Sequence, residues 1–129
     1  MSHSASIEGT SWRQTVLHGT LYGLRTGATL SRVTLTGRVD GSLLLSEGDS
    51  PDVESVALIG NRSPAIGLIS VRDGSPRFTN LLVTGNMFVG GPIMFLNRSS
   101  SQITNSTFAN NQSFQPVIDT IASSPVIRN

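Results

Sequence analysis

The stretch GSPRFTNLLVTGN, residues 74–86, returns in altered form on both sides of itself. Upstream it reads DSPDVESVALIGN (49–61), and downstream SSQITNSTFANN (100–111) followed by the half-copy SSPVIRN (123–129). A degenerate copy, GATLSRVTLTGR, covers 27–38, and ASIEGT (5–10) supplies the second half of one more. Ile7, Leu35, Leu58, Val83 and Phe108 occupy one repeat position, at spacings of 28, 23, 25 and 25. Leu30, Val53, Phe78, Ile103 and Ile127 occupy a second, at spacings of 23, 25, 25 and 24. Two asparagine series keep step with them: Asn61, Asn86, Asn111 and Asn80, Asn105, Asn129.

A fixed period near 25 residues is the signature of a stacked repeat architecture. Short β-favouring runs such as VALIG, GLISV, NLLVTG and PIMFL lie between Gly, Pro, Ser, Asn and Asp clusters, which is the strand-and-turn pattern. Each unit buries its inner face only by stacking on a neighbour, so three short strands per period predict a parallel β-solenoid of about five coils. The crossover rule makes its winding right-handed. Leucine-rich repeats are the rival reading, because Phe78, Leu81, Val83 and Asn86 fit their consensus. The other half of each repeat, as in GLISVRDGSP and GPIMFLNRSSS, argues against them: it is β-favouring where that fold places a helix or an extended Pro-containing segment.

The chain has 129 residues, enough to bury a core as a single domain. Charged residues make up 13% and the net charge is +1, which is no nucleic-acid footprint. Cysteine is absent, so disulfides, thiol catalysis and Cys-based metal sites are excluded. No apolar run reaches the roughly 18 residues of a membrane-spanning helix. The N-terminus carries no signal-peptide pattern. Residues 1–4 read as a disordered or vector-derived end, and 5–129 as one β-helix domain cut from a longer solenoid.

GLISVRDGSPRFTNLLVTGN and VTGNMFVGGPIMF resemble the repeats of right-handed parallel β-helix proteins of the pectin-lyase-like superfamily. They are most similar to polymorphic outer-membrane-protein and autotransporter-passenger surface repeats. Phe108 to Asn111 matches the Phe-x-x-Asn element of that group, and 58–61 and 83–86 match it with an aliphatic in place of Phe. Gly90-Gly91-Pro92-Ile93 approximates its Gly-Gly-Ala-Ile element. The resemblance implies adhesion or surface display in some relatives and glycan lyase or hydrolase activity in others.

Asparagine at a coil corner tolerates the left-handed backbone, and its amide can bond to its equivalent one rung away. Both series, Asn61, Asn86, Asn111 and Asn80, Asn105, Asn129, therefore read as structural ladders. Glu47 with Arg72, Asp52 with Arg77, and Asp73 with Arg98 are opposite charges 25 residues apart, placed to pair across rungs. Were the chain a glycan-active fragment, Asp49, Asp52 and Asp73 with Arg72 and Arg77 are the candidate cluster. Two of those carboxylates already have arginines one rung away, which favours a non-catalytic reading. His3 and His18 have no metal-ligand spacing, and no cofactor is expected.

Sequons stand at Asn61, Asn97, Asn105 and Asn111. Asn97, outside both ladders, is the best placed of them for glycosylation on sequence alone. The expectation is an extracellular or cell-surface structural module with adhesive faces. Its partners are further coils of a parent protein or copies of itself through uncapped ends, or a protein or glycan ligand; nucleic acid and a membrane span are not expected.

Overall fold

The computed structural model describes residues 5–37, 41–63, 67–88 and 90–129. The expected end at residues 1–4, with His3, lies outside them. The first coil holds β1 (Ile7–Glu8), β2 (Val16–His18) and β3 (Leu21–Tyr22). The second holds β4 (Thr29–Ser31), β5 (Thr34–Thr36) and β6 (Leu44–Glu47). In the third, β7 (Asp52–Glu54), β8 (Ala57–Ile59), β9 (Arg62–Ser63) and β10 (Ile69–Arg72) follow in turn. The fourth repeats this as β11 (Arg77–Thr79), β12 (Leu82–Thr84), β13 (Met87–Phe88) and β14 (Met94–Asn97). The fifth is β15 (Gln102–Thr104), β16 (Thr107–Ala109), β17 (Gln112–Ser113) and β18 (Ile118–Ile121), and β19 (Val126–Arg128) begins a further pass.

All pairing is parallel and joins equivalent strands of successive coils. The first sheet runs β1-β4-β7-β11-β15-β19, the second β2-β5-β8-β12-β16 and the third β3-β6-β10-β14-β18, with a short fourth of β9-β13-β17. The protein is thus a parallel β-solenoid of about five coils, about 25 residues each, with no helix among the described residues. The missing helix removes the leucine-rich-repeat reading.

Alternation along each strand sends one residue inward per pleat. Inward residues stack as columns: Leu30, Val53, Phe78 and Ile103 in the first sheet, and Leu35, Leu58 and Val83 in the second, all at most 1% exposed. Leu44, Ile69 and Met94 form the third column, and Phe88 fills the interior from the fourth sheet. Burying each large side chain is worth about 1.5–3 kcal/mol, and identical register in every coil makes the core continuous.

Ile7 pairs with Leu30, not Leu35, so it heads the first-sheet column, and Leu17 heads the second. The anomalous spacing of 28 marked the error; 7 to 30 is 23, the same interval as 30 to 53. The displacement comes from residues 9–15, which bridge β1 and β2 where later coils use only two residues between the corresponding strands.

Three corners per coil require the left-handed backbone. After the first sheet it is taken by Arg32 (φ 55°), Ser55 (53°), Asn80 (54°) and Asn105 (49°). After the second it is Gly60 (65°), Gly85 (66°) and Asn110 (53°), and after the third Gly48 (73°), Asp73 (56°), Arg98 (50°) and Ala122 (48°). Corners in coils two to four extend the ladder by a backbone bond to the next rung, as from Asn80 N–H to Thr104 O at 3.0 Å. Asn and Asp tolerate this region better than other non-glycine residues, which accounts for part of the Gly, Asn and Asp punctuation in the sequence.

Candidate functional site

The asparagine column at Asn61, Asn86 and Asn111 lies just inside the corner that follows the second sheet. Asn61 donates its backbone N–H and its Nδ2–H to Asn86 Oδ1, both at 2.9 Å. Asn86 repeats the arrangement on Asn111 Oδ1 at 3.1 and 2.8 Å. The second amide hydrogen of each reaches back to a carbonyl of the preceding coil: Asn61 to Leu35, Asn86 to Leu58 and Asn111 to Val83. Asn61 and Asn86 are each 1% exposed. The amide hydrogens of Asn61 and Asn86 and the Asn86 oxygen are all used, which is what makes these groups tolerable inside an apolar core, while Asn61 Oδ1, at the start of the column, is buried with no partner among the described residues.

Asn80, Asn105 and Asn129 make no such amide column. Asn80 and Asn105 are exposed corner residues whose stacking runs through the backbone, and Asn129 Oδ1 accepts from Ser106 N–H at 3.0 Å. An outward-facing corner side chain points away from its rung neighbours, so equal spacing does not by itself bring amides together.

A further ladder, one the sequence does not announce, runs through Thr26, Ser50, Ser75 and Ser100. Ser50 N–H donates to Thr26 Oγ1, Ser75 N–H to Ser50 Oγ and Ser100 N–H to Ser75 Oγ, at 2.9, 2.9 and 3.0 Å. These hydroxyls satisfy turn N–H groups between the third sheet and the first. Their spacings of 24, 25 and 25 were the available signal.

The five charged candidates are dispersed. Asp52 and Arg77 point outward from the first sheet, joined by Nε to Oδ1 at 2.8 Å and Nη2 to Oδ2 at 3.2 Å. Asp73 and Arg98 pair across successive corners, Nη2 to Oδ2 at 2.7 Å. Arg72 lies at the end of the third sheet, 3.7 Å from Glu47. The Asp49 carboxylate accepts from Thr26 N–H and Oγ1–H at 3.0 and 3.2 Å. A fourth ion pair joins Glu8 to Arg32, which follows Ser31, the residue opposite Glu8 on the next rung.

The Arg77 hydrogen bond to Asp52 and the Arg98 hydrogen bond to Asp73 hold both carboxyls below the usual carboxylate range. A general acid requires the opposite shift. Among the described residues no group of three or more His, Asp or Glu is placed to hold a metal ion. His18 is exposed on β2.

A surface hollow of about 410 Å³ lies over the fourth sheet between Met87, Gln112 and Phe114. One of about 360 Å³ on the first sheet contains the Asp52–Arg77 pair. No protein-family model, curated protein or solved structure matches the chain.

Proposed function

We propose that this chain is a non-catalytic structural and adhesive β-solenoid module of an extracellular or cell-surface protein. Its flat faces present side chains in rows about 4.8 Å apart to a protein or glycan. Its open ends stack on further coils, whether of a parent chain or of another copy. The observation that carries this reading is the commitment of the charged candidates: Asp52, Asp73, Arg72 and Arg77 are spent on pairs between rungs, and Asp49 on Thr26. Charges arranged this way fix register. A glycan lyase or hydrolase instead holds its acidic and basic groups converging on one cleft.

The test is incubation of the protein with a panel of acidic and neutral polysaccharides, with and without Ca²⁺. Unchanged polymers are expected, alongside retention of the protein on an immobilised glycan or protein surface. Release of unsaturated or reducing sugars overturns the proposal.

A further inference from the structure

Only one of the four sequon asparagines combines a free amide with an accessible hydroxyl two residues on. Asn61 is 1% exposed, and its amide nitrogen is engaged by Leu35 O and Asn86 Oδ1. Asn111 donates its amide nitrogen to Val83 O at 2.8 Å. A substituent on Asn61 Nδ2 removes a ladder hydrogen bond, and the hydroxyl that completes the Asn111 sequon, on half-buried Ser113, is committed to Gly91 O at 2.8 Å.

Asn97 turns its carboxamide oxygen into the protein, where it is buried without a hydrogen-bond partner among the described residues. The hydroxyl that completes its sequon, Ser99, is 2% exposed and lies 2.7 Å from Ser101 Oγ. Asn105 differs on every count. It is exposed at a left-handed corner, no hydrogen bond among the described residues ties its side chain, and Thr107 is exposed on β16. The two preceding rungs of its corner ridge carry exposed Asn80 and half-buried Ser55, both polar.

We propose that Asn105 is the acceptor for an N-linked glycan, an inference that rests on the extracellular reading above. The donor class is a lipid-diphosphate-linked oligosaccharide. Asn105 Nδ2 forms a bond to the anomeric carbon and loses a proton, while the bond from that carbon to the diphosphate oxygen breaks and the lipid diphosphate leaves with the electron pair. The glycan then projects from the ridge between the first and second sheets and leaves every rung hydrogen bond in place.

The test is secretion of the chain from eukaryotic cells behind an added leader, with intact-mass and peptide mapping before and after treatment with a glycan-removing amidase. Supplying the leader separates this outcome from the protein's native location. One glycan is expected, on the peptide containing Asn105, lost in N105Q and also in T107A, which leaves the corner residue untouched, and retained in N97Q. An unglycosylated product, or a glycan at Asn61, Asn97 or Asn111, overturns the proposal.

Discussion

Asn86 Oδ1 receives two hydrogen bonds from Asn61, one from the backbone N–H and one from the side-chain amide, both at 2.9 Å. A single oxygen thereby holds two coils in register at a buried point. Asn86→Ala strands the two Asn61 donors and removes the amide bond to Leu58 O, while Asn111 Oδ1 keeps the bond from the backbone N–H of residue 86. At roughly 1–3 kcal/mol for a buried group left unsatisfied, with some of these groups finding water, the expected loss is about 2–4 kcal/mol by urea denaturation. Asn80→Ala, at an exposed corner, should cost no more than about 1 kcal/mol. Equal losses at the two positions would contradict the distinction between a buried amide ladder and a backbone corner.

The ion pairs make stability depend on acid. Asp52 and Asp73 have folded pKa values below their unfolded ones, held there by the Arg77 and Arg98 hydrogen bonds. Their contribution is therefore fully present above the unfolded value of about 3.9 and is lost as pH falls through the lower folded values. Denaturation midpoints should be flat from pH 5 to 7 and fall below about pH 4. The acid-dependent fall should be smaller in D52N and D73N, and high salt should weaken the exposed pairs at neutral pH. A wild-type acid profile unchanged in both variants contradicts this assignment.

Corner geometry predicts which substitutions help. Ala122 sits at φ 48°, where a side-chain Cβ costs about 1 kcal/mol, so Ala122→Gly should stabilise by up to that amount despite the entropy of glycine. Gly85→Asn should be nearly neutral because Asn110 occupies the same corner one coil on, whereas Gly85→Val should destabilise. Gly74→Ala fails for another reason: the new Cβ would lie 2.0 Å from Asp49 O on the adjacent rung. Its overpacking cost is about 1–3 kcal/mol. Thermal melts of the four variants check the order.

The last coil exposes Ile121 (53%), Val126 (44%) and Ile127 (55%). Together with the unpaired edges of β16, β18 and β19, this invites edge-to-edge association. The weight-average sedimentation coefficient should rise with concentration, and Ile127→Lys should suppress the rise while leaving the core of coils three and four intact. A monomer at high concentration ends the self-stacking part of the proposed function.

The winding was legible in the sequence because the inner columns of coils two to five carry aliphatic or Phe residues at spacings of 23 to 25. The rung pairs Asp52–Arg77 and Asp73–Arg98 were legible for the same reason. The first coil was not. Its run TVLHGTLYGL reads as one extended segment, but Gly19 at φ 105° divides it into β2 and β3. The long connection before it moved Ile7 out of phase. The hydroxyl ladder was hidden by the abundance of Ser and Thr, since a column of common residues stands out only once the rung is known. Identical spacing also could not separate the inward Asn86 from the outward Asn80, because inward or outward placement depends on where each sits relative to a corner.

Residues one coil apart lie directly upon one another, and Val83 offers the sharpest check of that stacking. It lies between Leu58 and Phe108 in adjacent rungs. In a methyl-labelled sample, nuclear Overhauser effects from the Val83 methyls should appear to the Leu58 methyls and to the Phe108 ring. Cross-peaks from Val83 confined to its near neighbours in sequence, in a folded sample, would contradict the solenoid.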